Sequence, residues 1–168
     1  MNLRALAGEI IITDRELPTI FLQRAVPNLV IDIGGEGRHA EAWKLNLSPI
    51  KTLGPDRGSP IPRLILGRAE AIPLPNQCAS VIFMERTPLR VEALREIRRV
   101  IRDDGTIILR HSIPPTLEPH RTACRFLPGR AFRRWFQVSG RWMQETVFQP
   151  RLAQSSLFQT STGRLPVE

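Results

Sequence analysis

Residues 29–38 read LVIDIGGEGR, and the fold turns on that stretch. Leu29 to Ile33 is a short apolar run with β-branched Val30, Ile31 and Ile33, the composition of a buried strand. Asp32 stands near its C-terminal end, and Gly34, Gly35 and Gly37 follow at once. Glycines directly after a buried strand let the backbone turn sharply and approach a ligand closely. In open α/β sheets ligands sit outside the carboxyl ends of the strands, so the segment from Asp32 to Arg38 is the first candidate site.

Working outward, the pattern alternates strands with loops and one strong helix. Upstream, residues 9–13 (EIIIT) read as a short strand. Residues 17–26 are apolar at Leu17, Ile20, Phe21 and Ala25, which predicts a helix capped by Asp14 with Pro18 in its first turn. Downstream, residues 40–47 (AEAWKLNL) precede a Gly- and Pro-rich loop over 51–62, and residues 63–66 (RLIL) and 79–84 (ASVIFM) read as strands. Residues 89–102 carry Val91, Leu94, Ile97, Val100 and Ile101 on one face and arginines on the other, which predicts a helix ended by Asp104-Gly105. Residues 106–109 (TIIL) are the next strand. Residues 117–134 suggest one or two short helices broken at Pro128-Gly129, and residues 135–138 and 142–148 a hairpin about Ser139-Gly140. From Gln149 onward Ser, Thr and Gln dominate, so the expected layout is one domain over 1–150 and a loosely ordered tail over 151–168. Strand, loop, strand, loop, strand, helix, strand points to a parallel α/β sheet.

Composition narrows the chemistry. The chain has 168 residues, enough for one domain with a proper core, and a net charge of +8. Its cations are almost all arginine, with Lys44 and Lys51 the only lysines. Arginine suits bidentate contact with phosphate and carboxylate, so nucleic acid, nucleotides or acidic partners come into view, against the blander reading of a solvated basic surface. Cys78 and Cys124 have no metal-type spacing. Residues 1–16 lack the apolar core of a signal peptide and no run reaches membrane-spanning length, so a soluble cytoplasmic protein is expected.

Two further segments, GRAEAIPLP (67–75) and LREIRRVIRDDGTIILR (94–110), taken with LVIDIGG upstream, resemble the class I S-adenosylmethionine-dependent methyltransferases over about half the chain. The resemblance implies a Rossmann-like α/β fold: a seven-stranded, mostly parallel sheet closed by a C-terminal antiparallel hairpin. It implies S-adenosylmethionine as cofactor, held by Asp32, Gly34, Gly35 and Gly37 after the first strand, Asn46 after the second, and Ala69 and Glu70 after the third.

The lining departs from the family pattern in particular places. In strict register Glu36 and Arg38 take two glycine positions; with a loop one residue shorter Gly35 and Gly37 take them. Asn46 replaces the acid that grips the ribose, so a charge-assisted pair is lost. Arg68 stands where an acceptor for the adenine amino group is usual, with Glu70 two residues on. The interval from Gly37 to Asn46 is too short for a full crossover helix, which needs about a dozen residues or more, so the first crossover helix is shortened or missing. One sheet face then lacks its cover, and either residues 17–26 with the apolar side of Trp43, or a second subunit in a symmetric dimer, is expected to supply it.

On the acceptor side, the resemblance points to the segment after the fourth strand, Met84-Glu85-Arg86-Thr87-Pro88. Glu85 is the candidate base or acceptor contact, with pairing to Arg86 or Arg110 as its structural reading, and His111 beyond the fifth strand is the candidate second base or a hydrogen-bonded structural residue. Arginines crowd 121–141 with Trp135, Phe136 and Trp142 among them, a pattern that stacks bases and holds phosphates. The reading preferred here is a hairpin whose aromatics pack on the sheet while arginines face water. Two functions are therefore carried forward: a methyltransferase of unknown acceptor, and a methyltransferase-fold binding or scaffolding protein without catalysis. Nucleic-acid binding through the basic C-terminal half is kept as a third.

Overall fold

The computed structural model describes residues 28–113 and 119–149. They form a seven-stranded sheet: β1 (Leu29–Ile33), β2 (Trp43–Asn46), β3 (Leu64–Leu66), β4 (Ala79–Glu85), β5 (Ile101–Ser112), β6 (Arg130–Val138) and β7 (Arg141–Gln149). Helix α1 (Val91–Val100) joins β4 to β5, and the single turn α2 (Ala123–Phe126) precedes β6. The strand order is β3-β2-β1-β4-β5-β7-β6. The first five strands are parallel, while β7 runs antiparallel to both β5 and β6. The expected α/β architecture with its C-terminal antiparallel hairpin is what the chain builds.

The core lies on one face. Leu29, Ile31 and Ile33 of β1, Ile82 and Met84 of β4, and Ile107 and Leu109 of β5 alternate toward α1, which answers with Ala93, Leu94, Ile97 and Val100. Burying an aliphatic side chain of this size contributes about 1.5–3 kcal/mol, so this layer is what holds the sheet flat against its helix. The opposite face carries Val30 and Asp32, Val81, Phe83 and Glu85, Ile108 and Arg110, Glu145 and Val147, matched strand to strand by the register. No described helix lies on that side. Residues 17–26 fall outside the described residues, as do 9–13 and the 151–168 tail.

The β1–β2 connection, residues 34–42, contains only turns. The register explains how nine residues suffice: β2 begins opposite Ile31, two residues before the end of β1. The chain therefore drops back only about 7 Å at roughly 3.3 Å per residue, and needs no helix to cover the distance. The connection folds over the otherwise bare face. His39 stacks flat on Phe83, ring centroids 3.8 Å apart. Lys44, wholly buried beside Asp32, donates to the carbonyls of Ala42 at 2.6 Å and Ala40 at 3.2 Å. Burial pushes the Lys44 ammonium below its ordinary pKa, with the Asp32 charge opposing.

Three boundaries differ from the sequence reading. The helix over 89–102 spans Val91–Val100 and stops where Ile101 turns extended, so Asp104-Gly105 lies inside β5, where the β4–β5 register slips, and not at a helix end. Residues 130–134 belong to β6, because Gly129 (φ +94°) reverses the chain after one helical turn. The hairpin is longer than expected, with Ser139 and Gly140 both at positive φ, the geometry of a tight two-residue turn. No described helix is long and apolar enough to cross a membrane.

Candidate functional site

The glycine loop leaves β1 under tight steric control. Gly34 has φ +75°, and a Cβ there would lie 2.1 Å from Thr87 Oγ1; one at Gly35 would lie 2.0 Å from Asp32 Oδ2. A Cβ at either place forces a neighbouring side chain or the loop to shift. The Gly34 N–H donates to Leu45 O at 2.8 Å, tying the loop to β2. Gly37 (φ +124°) packs beside the stem of Lys51, which pairs with Asp56.

Asp32 is 2% exposed, and among the described residues no group donates a hydrogen bond to its carboxylate. Burial raises its pKa and the Glu85 charge adds to this; His39, Lys44 and Arg38 oppose, leaving it at about 6. No buried side-chain oxygen or nitrogen among the described residues lacks a partner, so the Asp32 oxygens still meet solvent at the loop; a nearly buried carboxylate with a raised pKa marks a candidate ligand site.

The remaining positions with a predicted cofactor role converge on this loop, with different degrees of freedom. Asn46 Nδ2 donates to Gly35 O at 3.3 Å and its Oδ1 accepts from Ser48 N at 3.1 Å, so the amide fastens β2 to the glycine loop. Gly67 N donates to Asn46 O at 3.0 Å, which brings the start of the β3 loop alongside. Glu70 accepts from Arg90 at 3.0 Å, and Ala69 packs on the core. Glu36 turns away from the loop interior: its carboxylate accepts from Thr52 Oγ1 at 2.5 Å and from the N–H groups of Thr52 and Leu53 at 3.0 and 2.9 Å. Burial would raise the Glu36 pKa, but these bonds outweigh it and hold it low. The one carboxylate that strict register places at a glycine position of the loop is thus committed to the 50s loop.

Glu85 closes β4 and is held from three sides: Arg38 at 2.6 Å, Arg110 at 2.7 Å and the His39 Nε2–H at 3.2 Å. Burial works to raise its pKa, but the His39 hydrogen bond and the two guanidinium charges overcome it, so Glu85 stays ionised. Arg110 also pairs with Glu145, which pairs with Arg134. Of the two partners the sequence offers Glu85, Arg86 and Arg110, the structure selects Arg110, and it adds Arg38 from the loop.

His111 sits in a chain of hydrogen bonds whose direction is set at one end. Its Nε2 lies 2.7 Å from Thr87 O, a carbonyl that only accepts, so Nε2 carries the proton. His111 Nδ1, 2.9 Å from His120 Nε2, must then accept, and His120 Nδ1 accepts from Thr146 Oγ1 at 2.7 Å. Gln144 donates to Thr146 at 3.2 Å. Both rings are neutral in this arrangement. Burial lowers the pKa of His111, and burial, His111 and Arg133 in that order bring His120 down to about 3.

Beside this chain, a cleft of about 750 Å³ opens at the C-terminal ends of β4 and β5 and the β6–β7 turn, lined by Arg86, Leu89, His111, Val138, Arg141 and Met143 among others. None of its described lining residues belongs to the glycine loop. Arg86 holds a left-handed conformation there (φ +58°), its N–H fixed to Arg110 O at 3.1 Å. Among the described residues no carboxylate lines the cleft.

No protein-family model matches the chain, and no curated protein matches its sequence. Solved structures do match in shape. A 16S rRNA (adenine(1408)-N(1))-methyltransferase from Catenulisporales acidiphilia, crystallised as a variant with its cosubstrate S-adenosylmethionine, superposes with a TM-score of 0.52 over 80% of this chain and 92% of that one, at 14% identity. The same variant without the cosubstrate gives 0.53 over 81% and 93%, at 13% identity. The chain has the class I methyltransferase fold. An arsenic(III) S-adenosylmethionine methyltransferase from Chlamydomonas reinhardtii agrees at a TM-score of 0.50, with 13% identity over 76% of this chain and 64% of that one. At these identities the likeness is one of fold, and the methyltransferase-like sheet order β3-β2-β1-β4-β5-β7-β6 is its content.

Proposed function

We propose that this chain is an S-adenosylmethionine-dependent methyltransferase that binds its donor over the ends of β1, β2 and β3 and receives its acceptor in the cleft beside β4 and β5. The observation that carries the reading is Asp32: a nearly buried carboxylate of raised pKa, beneath glycines where a Cβ would crowd its neighbours, at the carboxyl end of the central strand. Those features fit a ligand with an ammonium group and a ribose. Asp32, Gly34, Gly35 and Gly37 would hold the amino-acid end, Asn46 the ribose through its spare Oδ1 lone pair, and Ala69 and Glu70 the adenine. The cofactor supplies an electrophilic methyl group on a sulfonium.

Glu85 and His111 stand on the acceptor side, yet each is committed to its partners. Glu85 is stabilised as an anion by three donors, and both His111 nitrogens are engaged. Both serve as positioning residues in this reading, Glu85 for the glycine loop and His111 for the cleft wall. The reaction then suits an acceptor atom that brings its own lone pair, such as a nitrogen or sulfur, for which a general base is dispensable and alignment supplies much of the rate.

The second reading, a binding protein without catalysis, draws on the same clamp. Arg38 and His39 reach across to β4, and Asn46 already fastens the loop. Calorimetry with S-adenosylmethionine and S-adenosylhomocysteine separates the two. Micromolar binding that weakens at least about tenfold in Asp32→Ala, roughly 1.4 kcal/mol, supports the enzyme. Absence of binding at millimolar ligand supports the scaffold.

A further inference from the structure

The β6–β7 hairpin does not do what alternation on a sheet suggested. Its aromatics are left in water: Trp135 is 57% exposed, Trp142 55% and Phe132 45%. A large aromatic left uncovered forgoes about 1.5–3 kcal/mol of burial, and two indoles uncovered on one face of the hairpin call for an occupant, with Phe132 on the other face. The register puts Trp135 opposite Gln144 and Trp142 opposite Gln137, so the two indoles share a sheet face as diagonal neighbours. Diagonal positions lie about 7–8 Å apart, close to the span of two stacking distances with one flat ring between.

The charge around them has one sign. Residues 130–142 contain Arg130, Arg133, Arg134 and Arg141 and no acid. Arg130 and Arg134 lie over Phe132 and Phe136, 5.1 and 5.5 Å from the ring centroids. At the turn the hairpin borders the cleft, where Arg86 and Arg141 have no carboxylate within ion-pair distance among the described residues. Basic side chains guarding an edge strand are ordinary, but guarding does not account for exposed tryptophans.

We propose that this hairpin is a docking platform for single-stranded nucleic acid, with bases stacking on Trp135 and Trp142 and phosphates meeting Arg141 and Arg86 at the turn. The chemistry is sequence-tolerant, because every base offers a π-face and every nucleotide a phosphate. Arrival along the hairpin leads a strand to the mouth of the cleft. The platform stands whether or not the chain transfers a methyl group, and its test needs no cofactor.

Fluorescein-labelled oligo-U and oligo-dT of about twelve nucleotides are titrated with the full chain by anisotropy between 50 and 200 mM salt, following tryptophan emission in parallel. The expected result is binding that weakens steeply with salt and quenches emission. Trp135→Ala and Trp142→Ala each weaken it roughly 5- to 100-fold, while Trp135→Phe retains most of the affinity. Arg141→Ala lowers the salt slope by about 1, whereas Arg95→Ala, on the exposed side of α1, leaves both slope and affinity near wild type. No anisotropy change at 100 µM protein and 50 mM salt, of order the weakest non-specific binding, overturns the proposal. So does binding that both alanine variants preserve within about twofold. Sedimentation showing a dimer that Trp142→Ala dissociates overturns it in favour of a second copy as the occupant.

Discussion

Asp32→Asn should make the protein more stable and blind to its ligand. The carboxyl has a pKa of about 6 in the fold against 3.8 for the free group, so its ionised form is disfavoured in the folded state. At about 1.36 kcal/mol per tenfold, the penalty is about 3 kcal/mol above pH 7. The sign follows from proton counts. Between pH 3.8 and 6 the folded chain holds more protons at Asp32 than the unfolded one, so this residue's contribution to stability falls as pH rises through that window. Asparagine keeps the shape and removes the ionisation. The variant should therefore exceed wild type by up to about 3 kcal/mol at pH 7.5, and by roughly half that at pH 5. Urea melts of both proteins at the two pH values measure this directly, and taking the difference between proteins cancels every other titrating group. A variant no more stable than wild type at pH 7.5, or an advantage that fails to shrink at pH 5, refutes the reasoning. Repeating the melts with S-adenosylmethionine adds the functional half: wild type should gain stability with ligand, and Asp32→Asn should not.

Two other outcomes follow from the same geometry. His120 binds protons in the unfolded state below pH 6.5 but in the fold only near 3, so stability present above 6.5 should fall as pH drops, by about 2 kcal/mol at pH 5; urea melts of His120→Gln should lose that slope, and a slope unchanged by the substitution would contradict the assignment. Gly35→Ala places a methyl 2.0 Å from the Asp32 carboxylate, and should cost roughly 1–3 kcal/mol in thermal melts as the loop shifts; a variant as stable as wild type would show that the loop is slack.

Much of the architecture was legible because it rests on local pattern. The apolar run before Gly34, the amphipathic arginine helix and the Ser139-Gly140 turn each carry their signal within a dozen residues. What was hidden depends on contacts made at a distance. In strict register Glu36 takes a glycine position, and its commitment to Thr52 and Leu53, 16 and 17 positions away, is invisible locally. Nothing in the local pattern marks Lys44 as buried; its burial comes from a loop folding back over the face. Asn46 could be read as a weakened ribose contact, but not as a fastener of the glycine loop. The hairpin's aromatics fall on both faces, Phe132 and Phe136 on one and Trp135 and Trp142 on the other, and no described layer covers the two indoles.

The run of charges from Arg38 through Glu85, Arg110 and Glu145 to Arg134 joins the glycine loop to the edge strand. Each carboxylate is shared by two guanidinium groups, so none of the five can swing away without leaving a neighbour's charge undercompensated. Two regions nearly a hundred positions apart along the chain are thereby braced against one another by five side chains standing in a row on the sheet, in a molecule with only one sizeable described helix to do the bracing instead.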